Sequence, residues 1–286
     1  MLKNKAMQVK KHQALFAYAN KEIPFYFWLQ ESTAPPDTVF FLGTGQVGKI
    51  PRWIAQIAPA GVVVVEGIPH WHSDASASDL VEFSLAYTKC AYEAVLETFK
   101  LPSMNIIGES QACPPTIWLA NQLPEKIRNI ALILPMGLNT SSFGETDDAK
   151  FKELRKRSLQ TILHPEQFDL RNLYAAMQLL RIILSGMKDG STVKKYTKGI
   201  SQDITEEFRA LLKHREMKSH SVTLFLGERD KLFPAHEIEQ SLKKASINTA
   251  YIEIIPRKSH TSLVVKTARP IISRVVEVVR RNSHNK

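Results

Sequence analysis

The sequence predicts an α/β protein: a mostly parallel central sheet flanked by helices, with a helical segment inserted before the last two strands. Three observations predict it. Short, continuous apolar runs rich in β-branched residues recur at 38–42, 61–67, 130–134 and 222–226, the pattern of strands buried on both faces of a parallel sheet. Between them lie stretches with apolar residues at helical spacing, and this alternation implies crossover connections. The alternation breaks at residues 139–218, which carry helical patterns and no strand signal.

Taken in order, residues 14–20 and 24–31 read as a hairpin joined at Asn20-Lys21-Glu22. The buried strand 38–42 runs into Gly43-Thr44-Gly45-Gln46-Val47-Gly48, ahead of a helix over 51–57. Strand 61–67 ends in a loop that carries His70, Trp71 and His72, and a long helix covers 78–100. Residues 103–108 form a strand that stops at Gly108, and Ser110 sits at the apex of the following sharp turn. Pro114 and Pro115 suit the first turn of the next helix, where a missing N–H costs little. Strand 130–134 ends at Pro135-Met136-Gly137.

The insertion predicts helices at 150–163, 170–184 and 205–214, with Asp169 and Asp203 able to cap the second and third. Helix 170–184 is apolar almost all round, so one face is expected to pack on its neighbours and the other, with Met177, to roof a pocket. Two further buried strands, 222–227 and 250–255, complete the sheet. The expected division is a core of 1–138 and 219–286 with a cap of 139–218.

Two cysteines, Cys90 and Cys113, exclude a disulfide framework and fit a reducing compartment, as inert buried thiols. The basic N-terminal stretch lacks an apolar run long enough for a secretion signal, and no uncharged apolar run could span a membrane. These readings place the chain in the cytoplasm. The net charge of +10 is concentrated in residues 1–22, 139–220 and 250–286. Without basic residues interleaved with aromatics it points to a solvated surface, not nucleic-acid binding. No His, Cys or carboxylate spacing suits a metal, and no cofactor is expected.

A serine hydroxyl needs a base, and the base needs an orienting acid. Strand 222–226 leads into Gly227-Glu228-Arg229-Asp230, and the next strand leads into Lys258-Ser259-His260. Serine, acid and histidine thus follow three strand ends in that order, with Glu228 an alternative acid to Asp230. On these residues the chain resembles an α/β-hydrolase over nearly its whole length, from about residue 14 to 279. The resemblance implies Ser110 as nucleophile, Asp230 as acid and His260 as base. Ala112 stands where the family's Gly-x-Ser-x-Gly motif has its second glycine.

The resemblance also implies an oxyanion hole built from the Gln111 amide and a second amide in the loop after an early strand. Here that loop carries Leu42 in the family's usual histidine place, and Thr44 is expected to give the second amide, with Gly45 the alternative. Gly43, Gly45, His70 and Met177 are expected to contact substrate. A serine nucleophile argues against the epoxide and halide chemistries that use aspartate in this fold. It implies a carboxylic ester or thioester as a small-molecule acyl substrate. The alternatives are a carbon–carbon bond hydrolase or lyase with the same triad, or a ligand-binding homologue without turnover. Lys188, Lys194 and Lys195 would allow docking of an acidic carrier or a CoA thioester.

Overall fold

In a computed structural model of the chain, residues 8–43, 46, 49–68, 77–162, 203–217, 222–247, 251–260 and 268–284 are described. The first two strands, β1 (Val9–Tyr18) and β2 (Lys21–Gln30), form an antiparallel hairpin. Its turn is the pair Ala19-Asn20, both at positive φ (47° and 62°), the backbone that two-residue hairpin turns require. The hairpin is longer than expected, because Lys10 and Lys11 lie on an exposed edge strand and hide its start.

The remaining strands are β3 (Thr38–Phe41), β4 (Val62–Val65), β5 (Met104–Glu109), β6 (Ile127–Ile133), β7 (Val222–Gly227) and β8 (Ile252–Ile255). They lie in the order β1-β2-β4-β3-β5-β6-β7-β8. The pairs from β4 through β8 are parallel, and β2 joins β4 antiparallel. β8 departs from the buried strand expected of it. It sits at the sheet edge, pairs with β7, and leaves Ile254 40% exposed.

The helices are α1 (Lys49–Ile57), α2 (Ala77–Phe99), α3 (Cys113–Gln122), α4 (Asp147–Ile162), α5 (Thr205–Met217), α6 (Ala235–Lys244) and α7 (Ala268–His284). Strand side chains alternate between two apolar clusters, as the two-residue period of a strand requires. Val39, Phe41, Val63, Val65, Ile106 and Leu132 pack with α2, α3 and α6. Phe40, Val62, Val64, Ile107, Ala131 and Phe225 pack on the other face with α1 and α7.

β6 and β7 are direct neighbours although residues 134–221 lie between them. Of that stretch, α4 and α5 match the expected first and third helices, and the Asp203 carboxylate accepts the Thr205 N–H at 2.9 Å at the start of α5. Phe208 and Leu211 of α5 belong to the core cluster of α2 and α3. The expected helix 170–184, with Met177 and Asp169, falls outside the described residues, as do Lys188, Lys194 and Lys195. No helix among the described residues is long and apolar enough to cross a membrane.

Candidate active site

β5 is buried along its whole length and delivers the chain to Ser110, whose backbone is left-handed (φ 51°). For a residue with a Cβ this conformation is strained and uncommon. It reverses the chain within a single turn of 3-10 helix, Ser110–Ala112, and α3 follows with prolines in its first turn. Gly108 makes the reversal possible. A Cβ there would lie 2.7 Å from Thr116 Oγ1 and 3.1 Å from the Ala112 carbonyl. Ala112 needs no glycine, because its own backbone is ordinary right-handed (φ −77°, ψ −10°).

The loops after β7 and β8 are drawn together by backbone bonds. Arg229 N–H donates to the Lys258 carbonyl at 2.9 Å, and Glu228 N–H to Ile255 at 3.1 Å. Gly227 permits this approach, since a Cβ on it would meet the Lys258 carbonyl at 2.6 Å. The result places Asp230 Oδ2 at 2.9 Å from His260 Nδ1, and His260 Nε2 at 2.7 Å from Ser110 Oγ. The Asp230 side chain is fully buried, and that of His260 is 11% exposed. Asp230 Oδ1 accepts the N–H groups of Leu232 (2.8 Å) and Phe233 (2.9 Å), which fixes the carboxylate plane. With a carboxylate accepting at Nδ1, the imidazole turns its Nε2 lone pair to the Ser110 hydroxyl. The Phe233 ring packs edge-on against His260 at 5.0 Å and limits its rotation.

Glu228, the alternative acid, is exposed and accepts the Arg257 N–H at 2.6 Å, so Asp230 is the carboxylate facing His260. Gly43 lies against Ser110, where a Cβ would stand 3.2 Å from Ser110 Cβ. Gln111 follows Ser110 in the reversal, at the start of the path into α3. Thr44, Gly45, His70 and His72 lie outside the described residues. Cys113 is fully buried with its thiol pushed well up by burial, whereas Cys90 is only half-buried, its thiol donating to the Leu15 carbonyl of the edge strand β1 at 3.6 Å.

Two site residues escape the sequence reading. Glu109 is 2% exposed, and its Oε2 accepts the Gly43 N–H (3.2 Å) and the Gln46 side-chain N–H (2.6 Å). Burial pushes its carboxyl above the usual range, and the two donors and His260 act in the opposite sense. The one sequence signal is an acidic residue ending a mostly apolar, fully buried strand. Gln46 shows no such signal, because its partner is 63 residues away.

The sequence matches no protein-family model and no curated protein. Solved structures do match it across nearly its full length. An α/β hydrolase from a Medee basin deep-sea metagenome library superposes with a TM-score of 0.58 at 15% identity, covering 92% of this chain and 97% of that one. A haloalkane dehalogenase variant from Bradyrhizobium elkanii gives 0.61 at 11% identity, over 98% and 100%. The thioesterase domain from the curacin biosynthetic pathway gives 0.57 at 15% identity, over 94% and 99%. With the strand order, the left-handed serine after β5 and the acid and histidine after β7 and β8, these matches make the conclusion plain: the chain has the α/β-hydrolase fold.

Proposed function

We propose that the protein is a serine hydrolase that cleaves a carboxylic ester or thioester through an acyl-enzyme on Ser110. The observation that carries this reading is the unbroken chain of contacts from Ser110 Oγ through His260 to Asp230, with Ser110 on a strained backbone. In the first step Ser110 Oγ attacks the acyl carbon and its proton passes to His260 Nε2. The imidazolium is held by Asp230. The oxyanion is met by the Gln111 amide and by an amide of the 43–46 loop, for which Thr44 remains the proposed residue. His260 then gives its proton to the leaving group, and water, activated by the same base, releases the acid and restores Ser110.

A serine at the apex supports acyl transfer rather than the aspartate-based halide and epoxide chemistries of the same fold. The likeness to a thioesterase domain supports thioesters as one substrate class. Residues 139–218 are proposed as the insertion that shapes the pocket, with Met177 facing the acyl chain. This rests on the direct pairing of β6 and β7 around the inserted stretch.

The test is a fluorophosphonate label with nitrophenyl acetate turnover. One adduct is expected, at Ser110, and Ser110→Ala is expected to abolish it and to lower kcat by on the order of 10⁵ or more. Asp230→Asn is expected to cost about 10⁴ in kcat, while Glu228→Gln leaves it within about twofold. Labelling at another residue, or a Ser110→Ala variant with full turnover, overturns the reading.

A further inference from the structure

Glu109 takes no part in the steps above, yet it sits directly before the nucleophile. A carboxylate at the end of a buried strand is costly unless its oxygens are well bonded. Here one oxygen gathers two donors from the loop after β3, the Gly43 N–H and the Gln46 side-chain amide. Gly43 and Gln46 are also bonded to each other and, through Gly67, to the segment after β4. Gln46 N–H donates to the Gly43 carbonyl at 3.3 Å, and Gly67 N–H donates to the Gln46 carbonyl at 3.0 Å. A side chain on Gly67 would destroy the arrangement, because its Cβ would fall 2.2 Å from the Gly43 carbonyl.

The orientation of Gln46 is also informative. Its Oε1 is buried and has no hydrogen-bond partner among the described residues. With Glu109 ionised, turning the amide over would set that oxygen against a carboxylate oxygen, acceptor against acceptor, so the orientation seen is the one in which Gln46 donates to Glu109.

We propose that Glu109 is the positioning residue of the oxyanion hole. Its carboxylate ties the 43–46 turn to the strand that carries Ser110, and so sets the distance between the nucleophile and the second oxyanion amide. This rests on the serine hydrolase reading. It assigns that reading a residue whose effect passes through the loop, not through contact with substrate. Because the oxyanion exists only in and near the transition state, a loosened loop lowers kcat and spares KM.

The experiment compares Glu109→Ala, Glu109→Gln, Gln46→Ala and the double alanine variant on nitrophenyl acetate, with circular dichroism and thermal melting to verify folding. Wild-type labelling at Ser110 by fluorophosphonate is established first; its failure overturns the hydrolase reading, and this inference with it. Glu109→Ala is expected to lose about 10² in kcat, the usual cost of one oxyanion donor, with KM within about threefold. Glu109→Gln keeps an acceptor oxygen for both donors and is expected within about tenfold of wild type. Gln46→Ala is expected to fall between them, and the double variant to be no worse than Glu109→Ala, since both act through one contact. Wild-type kcat in a folded Glu109→Ala variant, a KM rise at constant kcat, or a glutamine variant as impaired as the alanine one overturns the inference alone. Should Glu109→Ala fail to fold, Gln46→Ala decides. Its side chain is only partly buried, and a drop of about tenfold in kcat at constant KM supports the proposal while an unchanged kcat overturns it.

Discussion

Glu66 closes β4 with its carboxyl turned back on the hairpin, where Oε1 accepts the Tyr26 N–H at 2.8 Å. Burial raises the carboxyl from 4.5 to about 7, against the smaller opposing pull of that N–H and of Lys11. Lys11 itself lies over the Tyr26 ring at 3.4 Å. Between these two pH values the folded chain binds a proton that the unfolded chain releases. The stabilisation is therefore complete below about pH 4.5 and is lost as the pH rises through 7, a change of about 3 kcal/mol at most. Glu66→Gln keeps an acceptor for Tyr26 and removes the titration. Denaturant unfolding is expected to show that variant losing less stability than wild type between pH 5 and 8, and more stable than wild type at pH 8. The residue scale is also where the sequence was least legible. Asp230 and His260 were readable from their places after β7 and β8, because strand ends announce themselves. Glu109 and Gln46 were not, because a hydrogen bond across 63 residues leaves no periodicity behind.

At the scale of the element, β5, its turn and α3 form one unit whose shape depends on small residues at unequal cost. Gly108→Ala drives a Cβ into Thr116 Oγ1 and the Ala112 carbonyl, so a stability loss of about 1–3 kcal/mol is expected, with labelling of Ser110 slowed. Ala112→Gly relieves nothing, because Ala112 already has a right-handed backbone, and is expected to cost under about 1 kcal/mol. Thermal melts of the two variants check the contrast. The elements themselves were legible where hydrophobic pattern and burial coincide. β3, β4 and β7 are apolar runs because both of their faces are covered, and α2 matches its expected span to within one residue at each end. Pattern failed at the margins of the sheet. β1 carries alternating exposed residues at its start, and β8 is half-open, so composition describes neither well.

For the whole molecule, the order serine, acid, histidine was legible because a parallel sheet places all its strand ends on one side. The strand order was not, since which apolar run lies beside which is decided by packing between distant segments. The same arithmetic separates Ser110 from His260 by 150 residues and joins them only when the sheet is complete. The two faces of that sheet are finished at different times. One is covered by α2 and α3, which follow closely on the strands they shield. The other depends on α7, whose Ile272, Val275, Val276 and Val279 seal Phe40, Ile107, Ala131 and Phe225. A ribosome delivers this helix after β1 to β8. Until then that apolar face is covered only in part, by α1, and the rest is the kind of surface that self-associates or recruits chaperones. A chain stopped at residue 267 is therefore expected to accumulate in the insoluble fraction and to bind a hydrophobic dye when held in solution. Adding the helix back as a separate peptide would restore solubility only if it arrived before neighbouring chains did.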